Sequence, residues 1–183
     1  MPEHGEDLMT DPHRILVIDS KRDVHDQIRT LFVAQSLGRD YRALAEPVDP
    51  KALEDTKAIL LTKGFEVDSA YDGEEGIERS AAARTRGSPF SLAMVELETA
   101  SGLDGIETAR RLWEIEPDLQ VVLTAQDFHH SWSEIASVLR RADNYLLLRK
   151  PFQKHELLQV VYALTEKWSL KRQVDEANAR RQS

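Results

Sequence analysis

Four short apolar runs in this sequence end on a residue that can do chemistry. "RILVID" ends on Asp19, "SLAMVE" on Glu96, "VVLT" on Thr124, and "NYLLLRK" reaches Lys150. Two carboxylates, a hydroxyl and an ammonium gathered at one edge would make a site for a divalent cation and a phosphoryl group: carboxylates hold a hard ion such as Mg²⁺, while Thr and Lys contact phosphate oxygens. Each residue alone is unremarkable. The question is whether the fold brings them together.

The flanking sequence predicts that it does. "RILVID" is β-branched and apolar, as expected for a strand buried on both faces of a parallel sheet. It is followed by "KRDVHDQIRTLFVAQ", where Val24, Ile28, Leu31 and Phe32 recur at helical spacing. The same alternation returns four times. "FEVDSAY" precedes a helix ended by Gly87; "FSLAMVEL" precedes "LDGIETARRLWEI", with Ile106, Ala109, Leu112 and Trp113 on one face; "LQVVLTA" precedes "SWSEIASVLRRA"; and "NYLLL" precedes a long helix from Gln153. In that last helix Leu157, Val161, Leu164 and Trp168 form a seam that can pack on a sheet and continue toward a partner helix. Residues 37–64 interrupt the rhythm. There Asp49 and Pro50 read as an N-cap followed by proline at the first helical position, opening an inserted surface helix through Leu53, Leu60 and Leu61. Five strands alternating with helices imply right-handed crossovers and a flavodoxin-like doubly wound parallel sheet, order 2-1-3-4-5, with ligands gathering at the carboxyl ends of the strands.

Composition narrows the function classes. The chain has 183 residues, 41% of them hydrophobic, enough for one domain of ~100–150 residues with extensions. With 24 basic against 32 acidic residues the formal charge is −8, which argues against a broad nucleic-acid footprint. The absence of cysteine excludes disulfides, thiolate zinc sites and cysteine nucleophiles. No apolar run has the length of a signal peptide or a membrane span, so a soluble cytoplasmic protein without membrane association is expected. Gly-rich phosphate loops and nucleophile elbows are missing, so no enzyme is expected beyond self-catalysed phosphoryl transfer. His129 and His130 read as loop residues, His25 as partly buried packing, and Trp113, Trp132 and Trp168 as core or seam anchors.

From Arg14 to Trp168 the order of motifs resembles the receiver domain of two-component response regulators, the CheY-like domain. The resemblance rests on "ILVID" with its terminal acid, "LAMVELETASGLDGIE" as phosphoacceptor strand and loop, "VVLTA" with the switch threonine, and "RKPF". It implies a phosphoacceptor position at Glu96, a metal site from Asp19, Ser20, Glu96 and the Glu98 backbone, phosphate contacts from Thr124 and Lys150, and an aromatic-switch region at Tyr145 and Leu147. It further implies Mg²⁺ as cofactor, a histidine kinase or other signalling protein as partner, and a homodimer formed either by the C-terminal helix or by the face that combines it with "SWSEIASVLRRA" and "NYLLL".

Three positions depart from the family pattern. The acceptor Asp is replaced by Glu96, the second of two adjacent acids by Ser20, and the aromatic three residues before the Lys by Leu147, with Tyr145 two residues further back. Glutamate moves the carboxylate by more than about 1 Å, an error that can cost ~10²-fold in rate. Ser20 removes a full negative charge from the cation site. The expectation is therefore a degenerate receiver with at most a weakly held Mg²⁺, acting through protein contacts. The alternative is a functional phosphoacceptor that takes a phosphoryl group from a histidine kinase with Mg²⁺. The expected organisation is a flexible tail at 1–13, a receiver-like domain at 14–168 with the insertion at 37–64, and a helical extension at 169–183.

Overall fold

The computed structural model describes residues 12–36, 64–99, 102–129, 131–141 and 143–182; the tail up to residue 11, the inserted helix opening at Asp49, and His130 lie outside them. Among the described residues ten elements alternate: β1 (His13–Ile18), α1 (Arg22–Ser36), β2 (Phe65–Ala70), α2 (Gly73–Thr85), β3 (Leu92–Glu96), α3 (Gly105–Ile115), β4 (Gln120–Ala125), α4 (Trp132–Leu139), β5 (Tyr145–Arg149) and α5 (Lys154–Gln182). The strands form one sheet in the order β2-β1-β3-β4-β5, and every pairing is parallel. This is the doubly wound order expected from the alternation.

Side-chain alternation builds two cores. Leu16 and Ile18 of β1 enter the core shared with Ala83, Ala109, Leu112, Trp113, Ile135 and Leu139 of α2, α3 and α4. Ile15 and Val17 enter the other, with Val24, Ile28 and Phe32 of α1 and Leu157, Val161 and Leu164 of α5. Each fully buried aliphatic side chain of this kind stabilises the fold by about 1.5–3 kcal/mol. Both faces of β1, β3 and β4 are therefore apolar, and their sequences carry polar groups only at the ends. That is why chemistry collects there.

Helix starts are set by caps. Asp72 accepts from Glu75 N and Asp104 from Glu107 N, each at 2.8 Å, and Ser131 forms a capping box with Glu134. Gly87, expected to stop α2, has φ 73° just past its end.

Two expectations about helices change. α4 ends at Leu139 rather than Ala142, because Arg140 takes the left-handed conformation at φ 51°. Trp132 is 54% exposed and is not a core anchor. It lies in the same angular stripe as Ile135 and Leu139, but it is the first residue of a two-turn helix, without a preceding turn to cover it. Trp113 is buried and donates through Nε1 to the Leu119 carbonyl at 2.8 Å. α5 runs unbroken for 29 residues, about 44 Å. Its buried stripe is Leu157, Val161, Leu164 and Thr165; Trp168 is half-buried against His13, and Leu170 and Val174 are exposed.

Candidate functional site at the carboxyl edge of the sheet

Asp19 follows β1 directly, with its backbone N–H tied to the Ala70 carbonyl at 3.1 Å. Glu96 is the last residue of β3, and Lys150 follows β5, its own N–H bonded to the Ala125 carbonyl at 2.8 Å. The bond from Lys150 to Pro151 is cis, and Phe152 beyond it is buried in the α1/α5 core.

Lys150 lies between the two acids. Its Nζ donates to Asp19 Oδ2 at 2.5 Å and to Glu96 Oε1 at 2.8 Å, and all three side chains are at most 10% exposed. The remaining oxygens are also taken. Asp19 Oδ1 accepts from Lys21 N at 2.9 Å. Glu96 Oε2 accepts from both Ser20 N at 3.1 Å and Ser20 Oγ at 2.8 Å. Every carboxylate oxygen in the cluster thus has a donor from the chain itself. Burial opposes ionisation of Glu96, but the hydrogen bonds from Lys150 and Ser20 outweigh it and hold the carboxyl below its ordinary range. For Lys150 burial again opposes the charge, and the bonds to Asp19 and Glu96 prevail and raise it.

Other expected site residues stand apart. Thr124 is buried beside Glu96 in the β3–β4 register, yet among the described residues its hydroxyl makes only a long 3.4 Å contact to the Val95 carbonyl. The Glu98 carboxylate points to solvent, 3.5 Å from His129 Nε2. Tyr145 is buried in the core beneath α3 and α4, with Leu147 packed against the same cluster. The Tyr145 hydroxyl has no hydrogen-bond partner among the described residues, and burial raises its pKa.

Two supporting residues carried little sequence signal. His25 is 2% exposed, and its Nε2 lies 2.7 Å from the Asp19 carbonyl, steadying the backbone under the cluster from α1. Gly105 seats the start of α3 against the end of β3: a Cβ there would lie 2.4 Å from the Glu96 carbonyl oxygen and 2.7 Å from Leu97 Cα. A glycine directly after each capping Asp, in "YDGEE" and "LDGIE", is the only hint the sequence offered.

A Mg²⁺ ion needs near-octahedral oxygen ligands with free lone pairs. Here an ammonium already lies between the two acids and the second acid of the usual pair is a serine; among the described residues no group of three or more His, Asp or Glu is placed to hold a metal. The donor set present does not fit the ion.

The chain is 34% identical over 131 residues to the response regulator MprA of Mycobacterium ulcerans (strain Agy99), a match covering 70% of this chain and 52% of that protein. It is 36% identical over 125 residues to MprA of Mycobacterium leprae (strain TN), covering 67% and 50%. The chain carries a response-regulator receiver domain. The fold agrees: the CheY-like receiver domain protein from Methanospirillum hungatei JF-1 superposes with a TM-score of 0.59 at 16% identity, covering 87% of this chain and 98% of that one. No family model matches the sequence. The chain spans about half the length of the curated relatives it matches. Within this receiver, the carboxyl-edge cluster occupies the place that the sequence resemblance assigns to phosphoryl chemistry.

Proposed function

We propose that this receiver is a signal-transduction module that works through protein contacts and does not depend on phosphorylation. The observation that carries the reading is the closed ion cluster: Lys150 clamps Asp19 and Glu96 while Ser20 takes the last Glu96 oxygen. A nucleophilic carboxylate must bring one oxygen in line with the phosphorus, and Glu96 is held by three donors, Lys150 Nζ on Oε1 and the Ser20 hydroxyl and N–H on Oε2. The extra methylene of glutamate carries its charge toward Ser20 and Lys150, so the pocket holds a satisfied arrangement of the kind that a phosphoryl group would otherwise complete.

Contacts would form on α4, β5 and α5, where Trp132, Val138 and Leu146 are large exposed apolar residues. A histidine kinase, another signalling protein or a second copy fits this surface; an acidic chain of net charge −8 does not favour nucleic acid. Among the described residues no helix is long and apolar enough to cross a membrane, and the cytoplasm suits the proposed role.

Incubation with Mg²⁺ and acetyl phosphate, followed by intact-mass measurement, tests the reading. The expected result is no phosphate-sized gain; a robust adduct lost in Glu96→Gln overturns it in favour of a working phosphoacceptor.

A further inference from the structure

Resting on the reading that Lys150 is the resident cation of this pocket, we infer that Ser20 is the residue that closes it to divalent cations, and that one carboxylate at position 20 would open it. The cluster contains two carboxylates and one ammonium, a net charge of −1. Ser20 adds no charge, yet its hydroxyl and backbone N–H both donate into Glu96 Oε2, at 2.8 and 3.1 Å. It thereby occupies the one Glu96 oxygen that Lys150 does not bind. Glutamate, not aspartate, makes this possible, since its added length brings the carboxylate across to residue 20. Ser20 and Glu96 therefore act as a pair.

Ser20 also stands at the solvent side of the cluster: it is exposed, whereas Asp19, Glu96 and Lys150 are buried. A carboxylate placed there would face Glu96 Oε2 at about the present hydrogen-bond distance, turning an attraction into repulsion between like charges. It would also supply the third acid of an oxygen-rich group, at the position a hydrated ion reaches first. Ligand charge count and geometry set the affinity of hard cations, so the change of one residue should decide the response to metal. Shortening Glu96 has the opposite character: Glu96→Asp withdraws an oxygen from Ser20 and adds no charge.

The test compares the wild-type chain with Ser20→Asp, Ser20→Asn and Glu96→Asp, following thermal unfolding in EDTA and in millimolar Mg²⁺, and Mn²⁺ binding by electron paramagnetic resonance. Ser20→Asp should unfold at lower temperature in EDTA, recover in Mg²⁺, and bind Mn²⁺ at least about tenfold more tightly than wild type. Wild type, Ser20→Asn and Glu96→Asp should show no metal-dependent shift. Ser20→Asp that is unfolded in EDTA and folded in Mg²⁺ also supports the inference. It is overturned if wild type or Glu96→Asp binds Mn²⁺ as tightly as Ser20→Asp, or if Ser20→Asp gains nothing from metal, folded or not. A phosphate adduct on wild-type Glu96 would defeat the phosphorylation-independent reading, whereas a metal-blind Ser20→Asp defeats this inference alone.

Discussion

Two ionic clusters in this receiver pair basic side chains with carboxylates at similar distances, and they do different things. On α3, Glu107 binds Arg110 and Arg111 at 2.7–2.8 Å, and Arg110 also reaches Glu114, with side chains 32–63% exposed. At the sheet edge, Lys150 binds Asp19 and Glu96 at 2.5 and 2.8 Å with side chains no more than 10% exposed. The α3 pairs lie three or four residues apart and connect one helix to itself; water and salt compete for every partner. Lys150 reaches 131 residues back to Asp19 and 54 back to Glu96, and so joins the ends of β1, β3 and β5. Hydrogen bonds from Arg110 and Arg111 take Glu107 down to a pKa of about 2, but in full solvent that reports geometry more than stability. Burial, rather than bond length, separates a staple of the fold from a decoration of its surface.

The largest break in this comparison is Lys150→Met. It strands two buried carboxylates, and removal of one member of a buried ion pair costs about 3–5 kcal/mol. Urea unfolding at neutral pH should show that loss. The variant should also be more stable at about pH 5 than at pH 7, since unpaired buried acids favour protonation in the folded state. A loss as small as that of a surface pair would erase the distinction between the clusters.

Gly105→Ala tests the backbone beneath the same site. The new Cβ meets main chain at 2.4 and 2.7 Å, where no side chain can yield, and overpacking of this kind costs about 1–3 kcal/mol. The shifted end of β3 should also disturb the amide resonances of Ser20 and Glu96.

Glu96→Gln sharpens the contrast through pH. The folded-state Glu96 carboxyl is depressed, so its contribution is present above its ordinary value of 4.5 and is lost as pH falls through and below it. Wild type should lose stability between about pH 5 and pH 3 more steeply than the variant. The raised Lys150 contributes below its ordinary 10.5 and is lost only at higher pH, so it adds no slope in that acid window. Parallel wild-type and Glu96→Gln curves would contradict the cluster. Arg110→Ala should have the smallest effect, an unfolding midpoint indistinguishable from wild type in physiological salt.

Much of the architecture was legible because the signals are local. Apolar runs such as "RILVI" and "SLAMV" must be buried on both sides, and helical spacing in "ETARRLW" marks a single buried face. Strand ends are where polar residues first become tolerable, so Asp19, Glu96 and Lys150 could be placed together before any distance was known. Trp132 shares the angular stripe of the buried Ile135 and Leu139, so periodicity alone places it in the core, yet as the first residue of a short helix it is exposed. Thr124 and Lys150 looked equivalent as strand-end donors, yet only Lys150 is long enough to cross to the acids.

By itself, then, the sequence determined the alternation of elements, the parallel order, and which residue types would meet at one edge, because periodicity and strand termination depend on neighbours in the chain. Only the tertiary structure decided that Lys150 lies between two carboxylates, that Ser20 takes the oxygen left over, and that Gly105 holds the end of β3. Those outcomes depend on register between strands far apart in sequence, and on side-chain lengths measured across a pocket to within about 1 Å.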